Sequence, residues 1–264
     1  MLAFQLPPSV TSSDRPKAID PDGARRGYWL RPCLAQWPPA ERSGDLFEFF
    51  VGPSGMGTFF LADVSGNGSA VAPVASRVRR LAQAFLAAEL PLRALLGAIN
   101  DALEMDEVPG CFVCAVAARF DPRARRLRVA RAGHLGAFVR RTNGQTRCIE
   151  APVGLALGIL PDQDYAEEEV ELEATDTVVL ATDGITDRFA TAADPTGKTQ
   201  FARWLGVLPA SPRAICQSLL PRGRADRGDA TVLAIALAKA RHHQTLDRNR
   251  SRPWSHKQEK FATS

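Results

Sequence analysis

The chain has 264 residues, 45% of them hydrophobic, with 33 Lys/Arg against 29 Asp/Glu and five cysteines. That apolar content suffices for one core domain of roughly 200 residues plus tails, and no run approaches the ~18 uninterrupted apolar residues of a membrane helix. The start Met1-Leu2-Ala3-Phe4-Gln5-Leu6 lacks the basic and apolar stretches of a secretory signal, and Cys33, Cys111, Cys114, Cys148 and Cys216 are too scattered for a disulfide framework, so a cytoplasmic protein without a membrane partner is expected.

The formal charge of +4 is concentrated at one end. Residues 239–264 hold seven Lys/Arg and two Asp/Glu, which leaves 26 basic and 27 acidic residues in 1–238. The tail carries Trp254 as its lone Trp or Tyr and no nucleic-acid-binding motif, so it reads as a basic disordered tail and nucleic acid is not an expected partner. Residues 1–27, rich in Pro, Ser, Asp and Arg, read as a flexible leader. The domain between them is expected to span 28–238.

Within that domain, 47–51 and 58–62 read as strands joined by a Gly-Pro-Ser-Gly turn region. Val71, Val74, Ala75, Val78, Leu81, Ala82, Phe85 and Leu86 recur at 3- and 4-residue intervals and predict an amphipathic helix. Pro91 interrupts it, and Leu92, Leu95, Leu96, Ile99 and Leu103 mark a second. Strand patterns follow at 111–120, 127–132, 137–141, 146–149, 170–172 and 177–181, separated by turn chemistry such as Asp121-Pro122-Arg123 and Asn143-Gly144. Helical stretches at 200–205 and 212–220 precede a last strand at 231–237. Strands, two helices, more strands, more helices and a final strand predict an α+β domain of two packed sheets with helices outside.

Four short acidic segments stand out: Gly44-Asp45, Asp63-Val64-Ser65-Gly66-Asn67-Gly68, Thr182-Asp183-Gly184 and Gly228-Asp229. Three of them flank apolar, β-prone runs, Phe59-Phe60-Leu61-Ala62, Val178-Val179-Leu180-Ala181 and Thr231-Val232-Leu233-Ala234. Each alone reads more readily as a capped turn than as a metal ligand. Together they offer several carboxylates from distant parts of one chain, the oxygen ligands that Mg²⁺ and Mn²⁺ favour. Cys111-x-x-Cys114 has no second Cys pair or adjacent His and falls in an apolar strand, so it reads as core rather than as a zinc or redox motif. His134, the single histidine of residues 1–238, reads as a structural hydrogen-bonding residue.

Six segments occur in a telling order: Ser-Gly-Asp-Leu-Phe-Glu, Leu-Ala-Asp-Val-Ser-Gly-Asn-Gly, Arg-Ala-Gly-His, Ala-Leu-Gly-Ile, Ala-Thr-Asp-Gly-Ile-Thr-Asp and Gly-Asp-Ala-Thr-Val-Leu. Across about 40–238 the chain resembles the SpoIIE/RsbU-type branch of the metal-dependent protein phosphatases (the PPM, or type 2C-like, family). The resemblance implies an α-β-β-α sandwich of two antiparallel sheets flanked by helices, with two Mg²⁺ or Mn²⁺ ions at one end. Carried over position by position, it implies metal ligation by Asp45, Asp63, Asp183 and the backbone carbonyl of Val64. The reaction it implies is hydrolysis of phosphoserine or phosphothreonine on a protein without a phosphoenzyme. The implied substrate is a phosphorylated STAS-domain anti-sigma-factor antagonist in a partner-switching circuit, with control by a separate activator.

Two positions depart from the branch pattern. Its last motif has two adjacent aspartates, the first a metal ligand, where this chain reads Gly228-Asp229. Asp229 or Asp226 is left to stand in. Asn67 occupies a position where the branch often has His. These departures keep a second function open, a catalytically weakened fold that binds a regulatory partner. A general metal-dependent hydrolase of small phosphoesters is a third.

Overall fold

Nearly continuous apolar runs, rather than alternating ones, mark the strands at the centre of this fold, because both faces of each sheet are covered. The structure is a computed structural model that describes residues 11–12, 28–37, 43–52, 55–65, 71–104, 111–219 and 229–239. The predicted leader and tail, together with Gly66, Asn67, Gly68, Asp226 and Gly228, lie outside the described residues apart from Thr11, Ser12 and Lys239.

The first sheet contains β1 (Thr11–Ser12), β2 (Tyr28–Trp37), β7 (Gly136–Arg140), β8 (Thr146–Cys148), β11 (Thr177–Ala181) and β12 (Ala230–Lys239), in the order β1-β2-β12-β11-β7-β8. The second runs β10 (Glu167–Glu171), β6 (Arg126–Ala132), β5 (Phe112–Asp121), β4 (Gly57–Ser65), β3 (Asp45–Val51). A short β9 (Val153–Gly154) pairs in parallel with the end of β6, and the other ladders are antiparallel.

Strand parity sorts the side chains into three apolar layers. On β4, Phe59 and Leu61 point between the sheets, where they meet Val116, Ala118 and Phe120 of β5 and Val178, Leu180, Leu233 and Ile235 of the facing sheet. Phe60 and Ala62 point the other way, under α1 (Val71–Ala87) and α2 (Leu92–Glu104). Helix α1 buries Val74, Val78, Ala82 and Leu86, a four-residue spacing that keeps one face on the sheet. On the far side, α4 (Lys198–Val207) and α5 (Pro212–Leu219) cover the first sheet through Phe201, Leu205, Ile215 and Cys216. The layers are therefore helix, sheet, sheet, helix, as the resemblance implied. No described helix is long and apolar enough to cross a membrane.

Three differences from the sequence reading have physical causes. The second strand does not stop at Ala62 but runs to Ser65, because β5 keeps pairing with it: Asp63 faces Cys114, Val64 faces Val113 and Ser65 faces Phe112. Asp63 is thus a strand residue rather than a loop residue. Strand β2 had no expected counterpart, since Pro32 and Arg31 interrupt its apolar pattern, yet it pairs with β12 along its whole length. The Thr182-Asp183-Gly184 turn is helical: α3 (Asp183–Thr186) followed by a 3₁₀ turn at Asp187–Phe189.

Candidate functional site

Antiparallel pairing brings the start of one strand to the end of its neighbour, and this places Asp45, Asp63, Asp183 and Asp229, one from each acidic segment, at one end of the sandwich. Asp45 opens β3 and lies directly opposite Asp63 near the end of β4. In the other sheet, Asp183 follows the end of β11 and Asp229 immediately precedes β12, with Ala181 paired to Val232 between them. A buried hydroxyl joins the two sheets there. Thr182 Oγ1 donates to Asp45 Oδ2 at 3.0 Å and accepts from the Thr231 amide at 2.8 Å. Thr182 is fully buried, and the sequence reading had not singled it out. Its signal is its place, a hydroxyl between a buried strand and an acidic helix start.

Asp45 is 1% exposed, and its Oδ1 has no hydrogen-bond partner among the described residues. Burial pushes its carboxyl well above the usual range, and the charges of Asp63 and Asp229 push it further, while contacts from Thr231 and Thr182 oppose the shift. The Thr231 hydroxyl lies near Asp45 but makes no well-directed bond. Asp63 is raised to about 6, again by burial first and then by the charges of Asp183 and Asp229. Asp183 behaves in the opposite way. Its hydrogen bond from His134 holds it below its ordinary value, and the same bond, helped by Cys114, raises His134 to about 10.

Asp229 is tied to the backbone rather than pointed freely into the cluster. The Gly44 amide donates to Asp229 Oδ2, while the Gly44 carbonyl accepts from the Val64 amide at 3.2 Å. A Cβ on Gly44 would stand 3.2 Å from the Val64 carbonyl oxygen and 3.3 Å from Asp229 Oδ2, so these two oxygens flank the same small residue. The structure thereby gathers Asp45, Asp63, Asp183, Asp229 and the Val64 backbone into one neighbourhood. Their carboxylates do not close into a finished ligand cluster: among the described residues no three His, Cys, Asp or Glu side chains form one. Asp183 and Asp229 instead spend oxygens on His134, Gly184 and Gly44.

An unpartnered buried carboxylate oxygen beside mutually repelling, desolvated carboxylates is a set short of positive charge. A hard divalent cation with its own waters supplies that charge, and the donor set of carboxylates and a carbonyl suits it. The residues present therefore fit a Mg²⁺ or Mn²⁺ centre.

His134, read from the sequence as a structural hydrogen-bonding residue, makes its hydrogen bond to a candidate ligand. Its Nε2 lies 2.7 Å from Asp183 Oδ2, and its Nδ1 lies 3.3 Å from the Sγ of Cys114. Cys114 lies on β5, while Cys111 of the Cys111-x-x-Cys114 pair directly precedes that strand. Gly133 makes the turn possible: its φ is +75°, and a Cβ there would sit 2.5 Å from Cys114 Sγ.

Comparison with known proteins bears on the identity of this arrangement. The profile of the Stage II sporulation protein E (SpoIIE) family matches residues 53–238, more than half of the chain. The phosphoserine phosphatase RsbU of Bacillus subtilis is 26% identical over 150 residues, which take in 57% of this chain and 44% of RsbU. The chain thus spans less than half the length of that relative. Among solved structures, RsbX in complex with magnesium superposes with a TM-score of 0.65 at 15% identity, over 87% of this chain and 100% of RsbX. The PP2C phosphatase domain of SpoIIE from Bacillus subtilis gives 0.67 at 18% identity, over 81% of this chain and 64% of that one. At these identities the structural likeness establishes the fold. With the match taking in β4 through β12 and three of the four acidic segments, the chain belongs to the SpoIIE family and carries its PP2C-like fold.

Proposed function

We propose that this chain is a divalent-metal-dependent protein serine/threonine phosphatase acting on a phosphorylated regulatory protein in the cytoplasm. The observation that carries the reading is the meeting of Asp45, Asp63, Asp183 and Asp229 at one end of both sheets, with Asp45 Oδ1 buried and unpartnered. Family membership supports it, and so does the name of the relative RsbU, a phosphoserine phosphatase. We take 28–238 as the catalytic domain and a STAS-domain anti-sigma-factor antagonist as the substrate, with a separate protein as activator.

Asp45, Asp63, Asp183 and the Val64 carbonyl would hold the cations, two in number and either Mg²⁺ or Mn²⁺, with Asp229 as a further ligand. When bound, the cations supply a water acidic enough to act as nucleophile at neutral pH and neutralise charge on the phosphoryl oxygens. The protein's own part is placement. Thr182 fixes one oxygen of Asp45 and leaves the other open. The pairing of β3 with β4 sets Asp45 across from Asp63. Asp229 braces Gly44, and with it the strand start that bears Asp45. Burial removes competing water, which strengthens each of these electrostatic contacts.

Phosphate release from a phosphorylated STAS protein, measured with the purified chain and Mn²⁺, tests this reading. Metal-dependent release is expected, and a variant with Asp45, Asp63, Asp183 and Asp229 all changed to Asn should be silent. Equal release by both proteins would sink the proposal.

Gly228 favours a second reading, a weakened phosphatase fold that works by binding. The sequence places glycine where the family pattern has a ligand. Affinity in oxygen-ligand sites rises with the number of charged ligands, so Gly228→Asp is expected to tighten Mn²⁺ by about tenfold. A parallel large gain in turnover would show that the natural chain is impaired. No gain in an already active protein would remove the case for this reading.

A further inference from the structure

We infer that His134 is a positioning residue for the metal centre: anchored on Cys114, it holds the Asp183 carboxylate in the orientation from which it ligates a cation. The inference rests on the reading of the carboxylates as a divalent-cation site and concerns how one of them is aimed.

The contacts form a bridge between the two sheets. Cys114 lies on β5, directly across from Asp63 in the ladder. His134 follows β6, the next strand of that same sheet. Asp183 belongs to the opposite sheet, one residue beyond Thr182, which follows the end of β11. The run Cys114 Sγ to His134 Nδ1 (3.3 Å) and His134 Nε2 to Asp183 Oδ2 (2.7 Å) thus ties a carboxylate of one sheet to the strand neighbour of Asp63 in the other. On its own side, Asp183 Oδ1 accepts from the Gly184 amide at 2.7 Å.

A carboxylate offers about four lone-pair sites. One donor on each oxygen locks the plane of the Asp183 group while leaving a lone pair on each oxygen for a cation. Hydrogen bonds to ligating carboxylates of this kind are worth ~10–100-fold in metal affinity. The exposure of the pair points the same way. The side chains of His134 and Asp183 are 51% and 32% exposed, and pairs so open to water add little to fold stability. A bond that contributes little to the fold yet aligns a site carboxylate has its consequence at the site.

Titration of the purified full chain with Mn²⁺, read from the free-ion EPR signal, tests the inference beside melting curves in chelator. His134→Ala should weaken Mn²⁺ binding by ~10–100-fold while its metal-free Tm stays within about 2 °C of wild type. His134→Gln, whose side-chain amide keeps a donor near the Nε2 position, should recover to within about threefold of wild type, well inside the full effect. Wild-type affinity in His134→Ala would overturn the inference alone, and tighter binding would make His134 a competitor for Asp183. A Gln variant as weak as the Ala variant would overturn the Nε2 contact as the operative one. Absence of Mn²⁺ binding by the wild-type chain would instead overturn the cation reading and the inference with it.

Discussion

Changing Asp63 to Asn is expected to abolish the proposed phosphatase activity while making the metal-free form more stable. Asp63 faces Asp45 across the β3–β4 ladder, and the charges of Asp183 and Asp229 also act on it. Losing a carboxylate from the proposed cation site should lower phosphatase turnover by at least ~100-fold. In chelator the same carboxylate is a liability. Burial and like charges raise its pKa from 3.8 to about 6, so the folded protein binds that proton more tightly than the unfolded chain does. The sign follows from linkage: stability is fully present below about pH 4 and is lost as pH rises through about 6. A shift of that size corresponds to a loss on the order of 2–3 kcal/mol by neutral pH. Asp45 is raised as well and adds to the same trend. Melting curves in chelator from pH 4 to pH 8 should therefore fall for the wild type and stay flatter for Asp63→Asn. A variant less stable than wild type in chelator at pH 7.5, or one that keeps full activity, would contradict the assignment.

A single methyl group at Gly184 should be nearly as damaging, by a steric route. A Cβ on this residue would lie 1.8 Å from the Asp229 carbonyl oxygen and 3.2 Å from the Cα of Ala230. Neither neighbour can step aside cheaply, since Ala230 opens β12 and Thr182 and Thr231 are bonded across the same junction at 3.0 Å. Gly184→Ala must push α3 off the start of β12, and that displaces Asp183 relative to Asp229. A cost of about 3 kcal/mol is expected, at the upper end for overpacking against rigid backbone. The variant should also bind Mn²⁺ poorly even at temperatures where it remains folded. Thermal melting and Mn²⁺ titration of the same preparation check both statements. A variant matching wild type in both would mean that the α3–β12 contact is looser than the structure shows.

How much of this was readable beforehand depended on whether the physics was local. The helices at Val71–Ala87 and Leu92–Glu104 were legible because one face meets a sheet and the other meets water, which writes a 3.6-residue period into the chain. The central strands were legible as apolar runs, but the covering of both faces erased the alternation that would have told Phe59 from Phe60. Strand β2 escaped because Pro32 and Arg31 look like a break, and only pairing with the whole of β12 makes that segment a strand.

The site divides in the same way. Asp45, Asp63 and Asp183 were nominated jointly and through the order of motifs that carries the family resemblance, since each alone reads as an ordinary turn carboxylate. Antiparallel register then decided what no local signal could: that Asp45 faces Asp63, that Thr182 links Asp45 to the other sheet, and that His134 reaches Asp183. These contacts join residues from 18 to 137 positions apart, so they exist only once both sheets have packed. The sequence by itself determined the chemistry on offer, oxygen ligands for a hard cation on an α+β frame. Only the tertiary structure decided which oxygens are free and which are held, because that depends on the strand register and the burial that desolvates Asp45.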